Sequence, residues 1–199
     1  MDEVEARTQK ELTDIIAVLT QQTGLPSRWS GRVELVPDAE FKGRKRQMCD
    51  IQIDAALATR DERWPTLIHE ALHSISVGYN GTDFRLLRGW EEGVVEQLQR
   101  IYRPIFLRQI GVRLEGTVFE SGELHHQFNP YIAALESLRH YCEPPKQEID
   151  FYVDLLSLPL KERPDSILRS GFSLERSPRA TFMMTYSQAN AILTRKTNR

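Results

Sequence analysis

The chain has 199 residues and a mass of 23.0 kDa, which is enough for one domain with a substantial core and short for two. Hydrophobic residues make up 40% and charged residues 27%, the balance of a globular protein rather than a disordered one. The 26 Lys and Arg residues against 28 Asp and Glu residues give a net charge of −2. This balance excludes a nucleic-acid binder driven by bulk positive charge.

Targeting signals are not recognisable in the sequence. No apolar run reaches the roughly 18 residues that cross a bilayer, so we expect no membrane insertion. The N-terminal segment is polar and acidic and lacks the basic and apolar regions of a secretion signal. Cys49 and Cys142 are therefore expected to be free thiols in a reducing compartment, and the protein is expected to be cytoplasmic.

The N-terminal third predicts a helix followed by a small sheet. Apolar residues at helical spacing over 3–23 predict the helix, and Gly24 followed by Pro26 predicts its end. Residues 32–36 and 49–54 alternate in the manner of half-buried strands. The basic residues 42–46 between them indicate a hairpin tip more than a phosphate contact, because no aromatic platform accompanies them.

The rest of the chain predicts helices. One begins at Trp64, with Pro65 in its first turn, and ends at Gly78; its apolar stripe is Ile68, Leu72 and Ile75. A second helix is expected from about 90 to 102 and stops near Pro104. A third begins near Pro130 and is broken by Pro144 and Pro145, after which another helix continues through Leu156. This order predicts a single α+β domain over 1–199, made of helix and sheet (1–63), central helices (64–142) and a helical C-terminal extension (143–199).

The sequence His69-Glu70-Ala71-Leu72-His73 carries the most specific chemical signal. An interval of four places His69 and His73 one turn apart on one helical face, so both imidazoles can bind one zinc ion. Glu70 would lie beside that ion and could take a proton from its water. A third ligand is needed, and the candidates by type and position are Asp83, Glu91, Glu92 and Glu96.

Around this motif the chain resembles the gluzincin metallopeptidases, and in particular the small stand-alone members called minigluzincins. The shared pattern is His-Glu-x-x-His, eighteen intervening residues, then Glu92 followed by Gly93. Residues 90–93 also resemble the Trp-x-x-Glu-Gly stretch of the aminopeptidase branch, with one spacer residue missing. The resemblance covers residues 64–100, about a fifth of the chain.

The resemblance implies a zincin-like core built from an N-terminal helix, a small twisted sheet, a metal-binding helix and a third-ligand helix. It implies that His69, His73 and Glu92 hold Zn²⁺ and that Glu70 is the general base. It also implies that residues 49–54 form the edge strand to which an extended peptide or protein substrate adds. The Gly-x-Met-Glu-Asn stretch that holds a substrate amino terminus in related aminopeptidases is absent, which favours an endopeptidase.

Further roles follow from the same resemblance. Glu96, one turn beyond Glu92, has the spacing to accept the second N–H of a metal-bound histidine, or it is a solvent-facing glutamate paired with Arg100. Tyr131 is the first candidate to donate to the oxyanion of the reaction, ahead of His125 and His126. Glu91 is expected to be exposed. The aromatic pair 151–152 is expected either to pack a C-terminal helix or to form the wall of a specificity pocket.

Three functions remain open on the sequence alone. The first is a zinc metallopeptidase, a hydrolase in which Glu70 activates zinc-bound water. The second is a zincin-like metal-binding interaction or regulatory module without proteolytic activity. The third is a structural helix with coincidental histidines, which predicts no metal. The sequence gives no indication of oligomeric state.

Overall fold

The computed structural model describes residues 3–45, 50–114, 117–142 and 147–194. It is a mixed α+β structure, mostly helical, with one small sheet of three strands in these ranges. In the same ranges no helix combines the length and the apolar character needed to cross a bilayer.

The N-terminal helix forms as the apolar spacing predicts. Helix α1 covers Glu3–Thr23, and Leu12, Ile15 and Leu19 on its inner face are buried. Gly24 follows with φ +70°, a left-handed conformation that ends the helix at low steric cost.

Three strands follow, in an order that the sequence did not predict. They are β1 (Val33–Val36), β2 (Gly43–Lys45) and β3 (Ile51–Asp54), and the sheet order is β1-β3-β2. Strand β3 pairs in parallel with β1, with Val33 opposite Ile51, and antiparallel with β2, with Gly43 opposite Ile53.

Two expectations are therefore corrected. Residues 51–54 form the central strand, so the implied edge strand at 49–54 is wrong; Cys49 itself lies outside the described residues. The basic stretch at 42–46 contributes the antiparallel edge strand β2 rather than only a hairpin tip, although Arg46 is not described. Strand β3 has Ile51 and Ile53 fully buried, and a strand buried in this way takes the middle of a sheet, where both of its edges are paired.

The remaining helices account for most of the chain. They are α2 (Arg63–Ile75), α3 (Gly81–Leu86), α4 (Arg88–Gln109), α5 (Thr117–Leu124), α6 (Asn129–Arg139), α7 (Glu148–Leu156), α8 (Arg163–Phe172) and α9 (Arg176–Leu193). Short 3₁₀ turns lie at Leu57–Thr59 and Leu160–Glu162. Pro65 and Pro130 stand in first turns, as predicted, whereas Pro144 and Pro145 lie outside the described residues.

Helix α4 is longer than the sequence predicts. It continues through Pro104 to Gln109 instead of stopping before the proline. Proline removes one backbone hydrogen bond and costs about 3 kcal/mol in a helix interior. Tyr102, Phe106 and Leu107, on both sides of it, are buried, and their burial offsets that cost.

The chain groups into two compact units by its contacts. One consists of residues 1–76 and 99–124, and the other of residues 77–98 and 125–199. In the first unit, α1 packs on α2 and on β1, and α2 packs on β2 and β3. Its core includes Leu12, Ile15, Ile51, Ile53, Leu67 and Leu72.

In the second unit, α9 packs on α6 and α8, and α3 packs on the turn at Leu160–Glu162. Its core includes Trp90, Val94, Leu135, Phe151, Tyr152 and Leu156. The aromatic pair 151–152 is buried, as the packing interpretation predicts, and a role as a pocket wall stays a prediction. The prediction of a single domain over 1–199 concerns folding as one unit and stays a prediction.

Candidate metal centre

Helix α2 places the two histidines on one face. The rings of His69 and His73 lie edge to face, with centroids 4.8 Å apart and an interplanar angle of 78°. The apolar stripe Ile68, Leu72 and Ile75 is buried, which fixes the rotation of the helix about its axis. His73 is buried and His69 is half-buried, so α2 presents both imidazoles from an anchored element.

Glu92 lies on α4 between two glycines, Gly89 and Gly93, that pack closely against neighbouring helices. A Cβ on Gly89 would lie 2.6 Å from the Leu193 carbonyl oxygen, and a Cβ on Gly93 would lie 2.8 Å from Leu135 Cδ1. At Gly89 the close contact is with backbone, which only glycine allows, whereas at Gly93 it is with the mobile end of the Leu135 side chain. Glu92, between these glycines, is 5% exposed.

His69, His73 and Glu92 form a group that could hold a metal ion. One ligand atom from each lies within 4.8 Å of the other two. Tetrahedral zinc, with bonds of about 2.0–2.1 Å, holds its ligand atoms about 3.4 Å apart. Zinc binding would therefore require the widest pair of ligand atoms to approach by somewhat more than an ångström. Two imidazoles and one carboxylate are also a donor set that zinc accepts, and they leave a coordination position open.

Arg88 lies beside the candidate ligand. Its Nε is 3.4 Å from Glu92 Oε1, one helical turn earlier on α4, and its guanidinium lies 5.8 Å from the centre of the Phe128 ring. This cation reduces the electrostatic cost of burying the Glu92 carboxylate.

Glu70 is buried against the edge strand. It is 5% exposed, and a Cβ on Gly43 of β2 would lie 3.0 Å from Glu70 Cγ and 2.5 Å from Thr66 Cγ2. The glycine lets β2 approach α2 closely at this point. The position of the Glu70 side chain is therefore limited by β2 as well as by its own helix.

Glu96 and Tyr131, two other predicted site residues, lie on or against the N-terminal part of α4. Glu96 is buried, and its Oε1 lies 3.6 Å from Nδ1 of His126, whose side chain is 28% exposed. Tyr131 lies against the α4 glycines, since a Cβ on Gly89 would be 2.9 Å from its Cδ1. Of the three oxyanion candidates, Tyr131 and His126 thus contact or face α4 within about a turn of Glu92. The bond from a ligand histidine to Glu96 stays a prediction.

Two other candidates for the third ligand have different partners. Asp83 Oδ2 accepts a hydrogen bond from Asn80 Nδ2 at 2.8 Å, and Asn80 caps α3 by accepting from the backbone N–H groups of Thr82 and Asp83. Helix α3 was not predicted, although Asn followed by Gly, Thr and Asp is a recognisable start signal.

Glu91 is buried, so the expectation that it is exposed is wrong. Its Oε2 accepts a hydrogen bond from Arg163 Nη1 at 2.7 Å, and both side chains are 0% exposed. Arg163 opens α8, more than 70 positions along the chain, so no local spacing in the sequence points to this pair. Burial lowers the pKa of the Arg163 guanidinium, and the Glu91 carboxylate opposes that shift.

Comparisons with protein-family models, with curated proteins and with solved structures found no match to this chain.

Proposed function

We propose that the protein is a zinc-dependent metallopeptidase of the gluzincin type. The observation that carries this proposal is the grouping of His69, His73 and Glu92, with one ligand atom of each inside 4.8 Å. Zinc fits this donor set better than calcium or magnesium, which prefer oxygen ligands alone. When bound, zinc would polarise the scissile carbonyl and lower the pKa of water toward about 7.

Glu70 is proposed as the general base. It follows His69 directly and is buried beside the candidate ligands on α2. Its carboxylate would accept a proton from the attacking water and return it to the leaving amine. Because Gly43 lies against Glu70, the main chain of β2 is also close to this carboxylate.

Strand β2 is the element proposed to bind the substrate main chain. It replaces residues 49–54 in this role, since β3 is already paired on both sides. A peptide adding to the outer edge of β2 would form main-chain hydrogen bonds and be positioned near Glu70. This mode suits an internal stretch of a peptide or protein, which is consistent with an endopeptidase.

Tyr131 remains the first proposed donor to the developing oxyanion, and His126 is the second. Removing such a donor lowers kcat by about 10²–10³-fold. The variants Tyr131→Phe and His126→Phe each remove one hydrogen-bond donor and keep an aromatic ring. The variant with the larger kcat loss at unchanged KM identifies the residue that acts.

The proposal is tested by metal content and hydrolysis measured on the same preparation. We expect one zinc per chain and chelator-sensitive cleavage of an unfolded protein such as casein. Glu70→Gln should keep the zinc and lower the cleavage rate by about 10²–10⁴-fold, whereas Glu62→Gln, at the exposed start of α2, should leave both unchanged.

Each alternative function has its own outcome in this test. Zinc binding without cleavage would favour the metal-binding interaction module. No bound zinc at all would favour a structural helix with coincidental histidines. Full cleavage by Glu70→Gln would contradict the role of Glu70.

A further inference from the structure

The first turn of α4 is held by side chains from the C-terminal region, for which the sequence suggested no role. Arg163 of α8 donates through Nη1 to the Glu91 carboxylate at 2.7 Å and to the Trp90 carbonyl at 3.2 Å. It also donates through Nε to the Leu158 carbonyl at 3.4 Å. One guanidinium thus links α4, α8 and the segment between α7 and α8.

A second contact holds the same turn from α9. The indole Nε1 of Trp90 donates to Asn190 Oδ1 at 3.1 Å, and Trp90 is fully buried. The backbone of Leu193, three residues further along α9, lies against Gly89. Three consecutive residues of α4, Gly89 to Glu91, are therefore each contacted by α8 or α9.

The residue that follows these three is Glu92, the proposed third metal ligand. Helical backbone geometry transmits a displacement of residues 89–91 directly to residue 92, because the four share one turn. Glu92 cannot reach the histidines unless that turn has the correct position and rotation. Partners of this kind, which orient a ligand without binding the metal, commonly determine metal affinity.

The chemistry of the Arg163 and Glu91 pair also favours a positioning role over a stabilising one. Burying two charges carries a large desolvation cost, and apolar side chains of similar size often give equal or greater stability. Unlike an apolar pair, the Arg163 and Glu91 pair supplies directional hydrogen bonds. Here the bonds fix the main chain of Trp90 as well as the side chain of Glu91.

We infer that Arg163, through Glu91 and the Trp90 carbonyl, positions Glu92 for metal binding, and that α8 and α9 serve as a support for this ligand. The inference rests on the proposed function, since it presupposes that Glu92 binds zinc. Arg163 and Glu91 are positioning residues, because neither belongs to the proposed ligand set.

The test uses the full chain with the double substitution Glu91→Leu and Arg163→Met. Both charges are removed together, so the net charge near Glu92 is unchanged and no buried charge is left alone. The matched control is Glu123→Leu with Arg103→Met, which removes the ion pair between α5 and the later part of α4. Zinc affinity is measured by competition with a chromophoric chelator, ligand geometry by the visible absorption of the Co²⁺-substituted protein, and stability by thermal unfolding without metal.

We expect the Glu91 and Arg163 double variant to unfold at or above the wild-type temperature. Its zinc affinity should be lower by about 10–100-fold, with a changed Co²⁺ spectrum. The control should keep the wild-type zinc affinity and spectrum. A purely structural role would move the unfolding temperature and leave the Co²⁺ spectrum unchanged.

Two results would overturn the inference. One is a double variant with wild-type zinc affinity and spectrum while the wild type binds zinc, which leaves the proposed function standing. The other is a wild type that binds no zinc, which removes the proposed function and this inference together. If the double variant does not fold, Arg163→Lys is tested in its place. Lysine keeps the charge but cannot reach all three acceptors, so zinc affinity should fall several-fold. Wild-type zinc affinity in Arg163→Lys would overturn the inference.

Discussion

Helix α2 and the first turn of α4 both supply proposed metal ligands, but they position them in different ways. In α2 the ligands are set by the helix itself, because an interval of four brings His69 and His73 onto one face. In α4 the ligand is one of several acids, and distant residues hold its turn. Arg163 lies 72 positions after its partner Glu91, and Asn190 lies 100 positions after its partner Trp90. The comparison shows that a ligand pair within one helix is determined locally, whereas a third ligand depends on tertiary packing.

The histidine pair of α2 depends on that helix alone, so loss of one ring should abolish zinc binding. His73→Ala removes a ligand that no neighbouring residue of α2 replaces, so the protein should bind no zinc at concentrations that saturate the wild type. Asp83→Asn is the control, since Asp83 bonds to Asn80 and is outside the proposed ligand group. Metal content after dialysis measures both. Stoichiometric zinc in His73→Ala would contradict the proposed ligand set.

A smaller effect is expected from the edge strand. Gly43→Ala would place a methyl group 2.5 Å from Thr66 Cγ2 and 3.0 Å from Glu70 Cγ, so Thr66 must shift, together with β2 or Glu70. A displacement near 1 Å of a catalytic group can cost about 10²-fold in rate. We therefore expect kcat to fall by up to about a hundredfold with zinc binding retained. Unchanged kcat would show that β2 does not limit the position of Glu70.

The two glycines that flank Glu92 on α4 differ in what a side chain at each position would contact. A Cβ on Gly89 meets the backbone of Leu193, which cannot rotate away, whereas a Cβ on Gly93 first meets the mobile end of Leu135. Gly89→Ala should thus lower the free energy of unfolding by about 1–3 kcal/mol. Gly93→Ala should lower it less, because the gain of about 1 kcal/mol in helix propensity offsets part of the overpacking. Urea unfolding measures both, and the reverse order would contradict the packing described for this turn.

Local patterns predicted much of the fold for a physical reason. Helices α1, α2 and α6 and strands β1 and β3 each have apolar residues at a clear period. All of them except β3 also have Gly or Pro near an end. Strand β2 was missed because Gly43, Arg44 and Lys45 have no apolar alternation. The middle position of β3 was missed because strand order depends on which pairs form, and no local period encodes that.

In the candidate site, too, features set by local spacing were predicted and features set by distant contacts were not. The grouping of Glu92 with the two histidines followed the spacing of a known pattern, and the fold brings one ligand atom of each within 4.8 Å. The burial of Glu91 could not be predicted, because its partner Arg163 has no sequence signature and an isolated Glu on a helix is usually exposed. The continuation of α4 through Pro104 likewise depends on buried neighbours, which local propensity does not represent.

His69, His73 and Glu92 are proposed to hold one ion together. The most direct measurement is anomalous diffraction at the zinc absorption edge from crystals grown with zinc. We predict a single strong anomalous peak with ligand distances of about 2.0–2.2 Å to all three side chains. An anomalous peak at another position, or a peak at the histidines with the Glu92 carboxylate turned away from it, would contradict this ligand set.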